Sequence, residues 1–142
     1  MAQYVAVASV LNLAWELLHL PFYTIWSESP LRESVAAAVH CTFGDAVIAT
    51  WTLLVPILIF GQTWPKENFF AVAFATIVLA LGYTTFSEWW NVEVRQTWAY
   101  SPLMPRLPYT GTGLSPLLQW IVVPAASFAI LTLLPPTNRQ PV

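Results

Sequence analysis

Five titratable side chains, Glu16, His19, His40, Asp45 and Glu88, sit in stretches of the chain that are otherwise almost entirely apolar. Ionisable groups are costly among hydrocarbon and tend to face a bundle interior, a water-filled cavity or a partner. Carboxyl groups beside imidazoles suit acid–base chemistry. A carboxyl group shielded from water can keep its proton near neutrality and donate it, while a neighbouring His or carboxylate removes one. Glu16, flanked by Trp15, is the natural acid; Asp45, His19 and His40 are candidates for base or orienting partner. Ring faces of tryptophans such as Trp15 and Trp120 could wall an apolar pocket and stabilise developing positive charge. Trp26, Trp89 and Trp90 fit better as packing or interfacial side chains.

Two other chemistries use the same residues. Glu16-x-x-His19 has the (i, i+3) spacing that aims both side chains at one metal in carboxylate-bridged four-helix sites. His40, Asp45 and Glu88 would complete a set suited to iron, manganese or zinc. Only one Glu-x-x-His element is present, so a mononuclear site is expected over a binuclear one. The acid–base reading requires no cofactor. The remaining role is architectural, because polar contacts between membrane helices average below about 1 kcal/mol and serve as glue. That explains any one residue alone. Five convergent groups on three helices are harder to explain so, since each carries its own insertion cost.

The elements that must position these groups follow from composition. The chain has 142 residues, of which 57% are hydrophobic and only 8% charged. Soluble domains carry about 25% charged residues, and the mean hydropathy of +0.61 agrees with a chain made for lipid. A net charge of -2 with no basic run excludes nucleic acid as a partner. The single cysteine, Cys41, excludes an internal disulfide and a Cys-rich metal cluster.

Crossing a hydrocarbon core takes about 20 helical residues, and four apolar runs are long enough: 5–26, 34–60, 69–90 and 115–134. Backbone groups cannot stay unpaired in lipid, so these runs must be helices. The strict alternation of a barrel is absent. Pro21, Pro56 and Pro124 fall inside spans, where neighbouring helices tolerate the lost hydrogen bond. The first run lacks a basic flank and a small-residue exit, and it carries Glu16 and His19, so it reads as a span and not as a cleaved signal. The expected fold is all-α: one domain over 1–142, an integral membrane four-helix bundle with a long surface loop between its third and fourth helices. That loop, about 94–114, is rich in Pro, Gly and aromatics, and such loops are more often functional than idle. Arg32, Arg95 and Arg106 against Lys66 and Arg139 leave the orientation open.

Depth ties the polar groups together. Counted from the face where the first span ends and the second begins, His19 and His40 share one level and Glu16 and Asp45 the next. Glu88 and Asn91 end the third span on that face, and Gln119 lies one turn into the fourth. Asn12, Glu16, His19 and Tyr23 form one helical stripe, and Thr84, Glu88, Asn91 and Arg95 repeat its spacing. The predicted ligand-lining set is therefore Asn12, Trp15, Tyr23, Glu88, Asn91, Arg95, Gln119 and Trp120. His40 and Asp45 are five apart, roughly 140° around a helix, so both cannot aim at one centre unless Gly44 allows a distortion.

The Asn-x-x-Trp-Glu core, Asn12-Leu13-Ala14-Trp15-Glu16, resembles membrane terpene cyclases, which implies Glu16 as the proton donor. Glu16 with Leu20-Pro21-Phe22, followed by Val39-His40, resembles the emopamil-binding/sigma-2 receptor (EXPERA) superfamily. That resemblance implies a sterol-isomerase or lipid-binding bundle with Glu16 as acid or ligand anchor and His40 beside it. Residues 83–124, including FSEWWNVEVR and GTGLSPLLQW, look like a small bacterial membrane-protein family, which implies the bacterial inner membrane. The expectation is a membrane protein that binds, and transforms by proton transfer, a lipophilic or isoprenoid-like molecule. The alternatives are a metal-binding or ion-conducting bundle, a homo-oligomer, or an accessory subunit of a larger membrane complex.

Overall fold

A computed structural model describes residues 1–61 and 63–133. Regular structure among the described residues is entirely helical. Helix α1 (Ala2–His19) runs into a 3-10 turn, Leu20–Phe22, and a short helix α2 (Ile25–Glu28) follows. Then come α3 (Leu31–Phe60), α4 (Phe69–Trp89), a π-helical turn Trp90–Val94, and α5 (Leu114–Leu133). Four of these segments are long and apolar enough to cross a membrane: Ala2–Phe22, Leu31–Phe60, Phe69–Val94 and Leu114–Leu133.

The ends differ from the sequence expectation in instructive ways. The first span stops at Phe22, short of residue 26, because Pro21 lacks the N–H that would continue α1 and Tyr23 is extended. Pro56 and Pro124, by contrast, stay inside α3 and α5, both fully buried against neighbouring helices. The second helix starts earlier, at Leu31, directly after Pro30. The third continues through its π turn to Val94. Leu134, Pro135, Pro136 and Arg139 lie outside the described residues.

The long helices pack in a ring, α1 on α3, α3 on α4, α4 on α5 and α5 back on α1. Their inward residues recur every three or four positions and are mostly small or polar: Tyr4, Ala8, Asn12, Glu16 and His19 on α1, and Val72, Thr76, Ala80, Thr84 and Glu88 on α4. Ala49 of α3 and Val123 of α5 complete the apolar level beneath the polar end. Large apolar residues point outward instead, with Leu18 80%, Phe43 72%, Phe70 84% and Phe74 71% exposed. That distribution inverts the pattern of water-soluble helices. It suits lipid, where small residues let helices approach closely.

One end of the ring is closed by aromatics, Trp64 and Phe69 packing on Phe128 at 6.2 and 5.7 Å and Tyr4 at 4.7 Å. At the other end lies the segment 95–113, stitched to the α1–α2 connection. The Thr24 N–H donates to Ala99 O at 3.0 Å, the Ser101 N–H to Phe22 O at 2.9 Å, and Ser101 Oγ to Pro21 O at 2.8 Å. Gly113 permits the closest approach, since a Cβ there would lie 3.0 Å from both Met104 Sδ and the Tyr100 ring. Gly113→Val should therefore destabilise the fold by about 1–3 kcal/mol through overpacking, read as a lower midpoint of thermal unfolding in detergent.

Candidate functional site

The inward stripes deliver polar groups from all four long helices to the end of the ring beneath the 95–113 segment. Asn12, Glu16 and His19 come from α1, Asp45 from α3, Glu88 from α4, and Ser115 and Gln119 from α5, all of them buried. Glu16 and Gln119 lie about 5–8 Å below the level where α1 ends and α5 begins, at 1.5 Å of rise per residue. Asp45 meets them from about 21 Å along α3, so the first turns of α3 project about 14 Å beyond the level where α1 ends and α5 begins. Ser34 Oγ fastens that projection to α2 by donating to Ile25 O at 3.1 Å.

Gln119 is the hub of the cluster. Its Nε2 lies 3.1 Å from Asn12 Oδ1, from Glu16 Oε1 and from Asp45 Oδ2. A primary amide has two hydrogens, so three acceptors share two donors. The Glu16 and Asp45 carboxyls therefore converge on one nitrogen, each with an oxygen 3.1 Å from Gln119 Nε2. An ionised carboxylate only accepts. Two ionised carboxylates converging on one amide repel each other, and a single proton held by the pair removes that repulsion.

His19 extends the cluster towards the covering segment. Its Nε2 is 3.1 Å from Glu16 Oε2, and its Nδ1 is 3.1 Å from Ser115 Oγ. With Nε2–H donating to the carboxylate, Nδ1 is left to accept from the Ser115 hydroxyl. The ring meets Tyr23 edge-on at 5.3 Å. Glu88 is bound separately: Oε2 accepts from Tyr23 OH at 3.3 Å and from Tyr100 OH. The Tyr100 oxygen in turn accepts from the Gly113 N–H at 3.0 Å, and the Arg106 guanidinium lies 4.9 Å over its ring. Burial pushes both tyrosine hydroxyls above their usual range, and the charge of Glu88 acts in the same direction. Both stay O–H donors throughout the physiological pH range.

Three sequence-predicted residues fall elsewhere. His40 is exposed on the outer face of α3. The 140° between positions 40 and 45 holds because α3 is undistorted there, so turning Asp45 inward turns His40 out. Cys41, one helical turn before Asp45, is half-buried. Asn91 and Arg95 leave the α4 stripe because the helix widens into the π turn, with the Arg95 N–H donating to Trp90 O at 2.8 Å. Asn91 instead binds Ser87 O and Thr97, and Arg95 is exposed. Trp15 and Trp120 pack in the apolar core beside the cluster.

The predicted metal set, Glu16, His19, His40, Asp45 and Glu88, does not assemble. His40 faces out, both His19 nitrogens have protein partners, and two tyrosines occupy Glu88. Among the described residues no group of three or more His, Cys, Asp or Glu side chains is placed to hold a metal ion. Ser115 and Tyr100 were not foreseen. Ser115 stands one helical repeat before Gln119 and was legible on that ground; Tyr100 reaches Glu88 through a fold of the covering segment that no periodicity encodes. A shallow groove of about 480 Å³ between α4 and this segment, lined by Gly82, Phe86, Trp89 and Tyr109 among others, contains none of the carboxyls. No protein-family model, curated protein or solved structure matches the chain.

Proposed function

We propose that the chain is an integral membrane four-helix bundle, of the bacterial inner membrane, whose Glu16–Asp45 pair transfers a proton to a lipophilic, isoprenoid-like molecule. The observation that carries this reading is the convergence of two buried carboxyls on one glutamine amide. Such a pair holds a proton out of water at a defined place, which is what a general acid requires. Glu16 is the donor in this reading. Asp45 shares the proton and accepts it back, and Gln119 with Asn12 fixes both carboxyls. Segment 95–113 lies at the membrane surface with Tyr23, Glu88 and Tyr100 forming the mouth. A depth of one to two helical turns lets an amphiphile keep its polar end at the interface while its reacting carbon reaches Glu16. The resemblance of residues 12–16 to membrane terpene cyclases, and of Glu16 with Leu20-Pro21-Phe22 to the EXPERA proteins, supports the isoprenoid or sterol class.

Proton transfer to carbon can be read without knowing the product. Protein in liposomes is incubated in deuterated water with a polyprenoid and sterol extract, and the lipids are then weighed by mass spectrometry. The expected result is deuterium fixed in a lipid C–H bond by the wild type and not by Glu16→Gln. Equal labelling in both would overturn the proposal. His40→Ala serves as the contrast: it should leave labelling unchanged and shift stability by no more than about 0.5 kcal/mol, as surface substitutions do.

A further inference from the structure

We propose that Ser115 and His19 form the route by which the Glu16–Asp45 pair exchanges its proton with water on the covered face of the bundle. The inference rests on the shared proton of the preceding section and adds how that proton is replaced. His19 is the one imidazole in the cluster, and its two nitrogens face opposite ways, Nε2 to Glu16 at 3.1 Å and Nδ1 to Ser115 at 3.1 Å. Ser115 is the second residue of α5, where the covering segment enters that helix. From the remaining elements Tyr23 and Glu88 also bear on His19. Glu88 is occupied by two tyrosine hydroxyls, which leaves Glu16 as the acceptor in line.

A proton carried by water bonds to Ser115 Oγ while the serine's own hydroxyl proton passes to His19 Nδ1, giving an imidazolium. The Nε2–H bond then breaks and an O–H bond forms on Glu16 Oε2, leaving His19 neutral with its proton on Nδ1. A turn of the ring about Cβ–Cγ brings its nitrogens to water, where Nδ1 loses a proton and Nε2 gains one. The net change is one proton moved from water to the carboxyl pair.

Substitution at His19 separates this route from a structural role. His19→Gln can hydrogen bond to Ser115 and Glu16 but cannot relay a proton between them. The measurement is the infrared band of the protonated carboxyl in detergent-solubilised protein, followed as it shifts after rapid mixing with deuterated water. His19→Gln should keep the band and slow its shift at least tenfold. Ser115→Ala should slow it too, and Ser115→Thr should restore the wild-type rate. A band that shifts as fast in His19→Gln as in the wild type overturns the route. Absence of the band from the wild type would overturn the shared proton itself, a distinguishable failure.

Discussion

Gln119→Leu is expected to be among the most damaging single substitutions in the bundle, costing about 3 kcal/mol or more. Average polar contacts between membrane helices are worth far less, under about 1 kcal/mol. The difference lies in what is stranded. Gln119 is 2% exposed and supplies the amide shared by Asn12, Glu16 and Asp45, all three of them buried. Leucine keeps the volume and removes both N–H donors that these three oxygens share. An unsatisfied buried acceptor costs about 1–3 kcal/mol, and a charged one more. Adding Asn12→Leu to Gln119→Leu should recover part of the loss, because one stranded acceptor is removed with its partner. Equilibrium unfolding in mixed detergent measures both. A loss below about 1 kcal/mol for the single variant would mean that the carboxyls are held by something other than the glutamine.

The second large effect is on chemistry. Glu16→Gln should lower deuterium transfer by about 10²–10⁴-fold, the usual contribution of a positioned general acid. The amide is nearly isosteric and can still bond to Gln119 and His19, so the fold should persist. Asp45→Asn should cause a loss of similar size. The two losses should not add in the double variant, because the carboxyls act on one proton as a unit. Additive losses would assign them separate roles.

Much of the architecture is legible in the sequence, for a plain physical reason. Runs of about 20 apolar residues have few alternatives to a helix in lipid. The ends were less legible. Pro21 terminates α1 whereas Pro56 and Pro124 are absorbed within α3 and α5, and that choice depends on tertiary neighbours, not on proline itself. The stripe through Asn12, Glu16 and His19 follows from helical spacing alone. On α3 the spacing excluded a shared direction for His40 and Asp45 but did not say which would turn in. Packing against α1 and α5 chose Asp45. Asn91 and Arg95 depart from the stripe their spacing predicts because a π turn carries no sequence mark and shifts every residue after it. Gln119 was expected only to line the site. Its role as hub depends on three helices meeting at one depth, a property no single segment carries.

The infrared spectrum of the purified protein at neutral pH tests the central claim most directly. A protonated-carboxyl band should be present in the wild type and absent from both Glu16→Gln and Asp45→Asn. A wild-type spectrum without that band, or a band that survives both substitutions, would contradict a proton shared between Glu16 and Asp45.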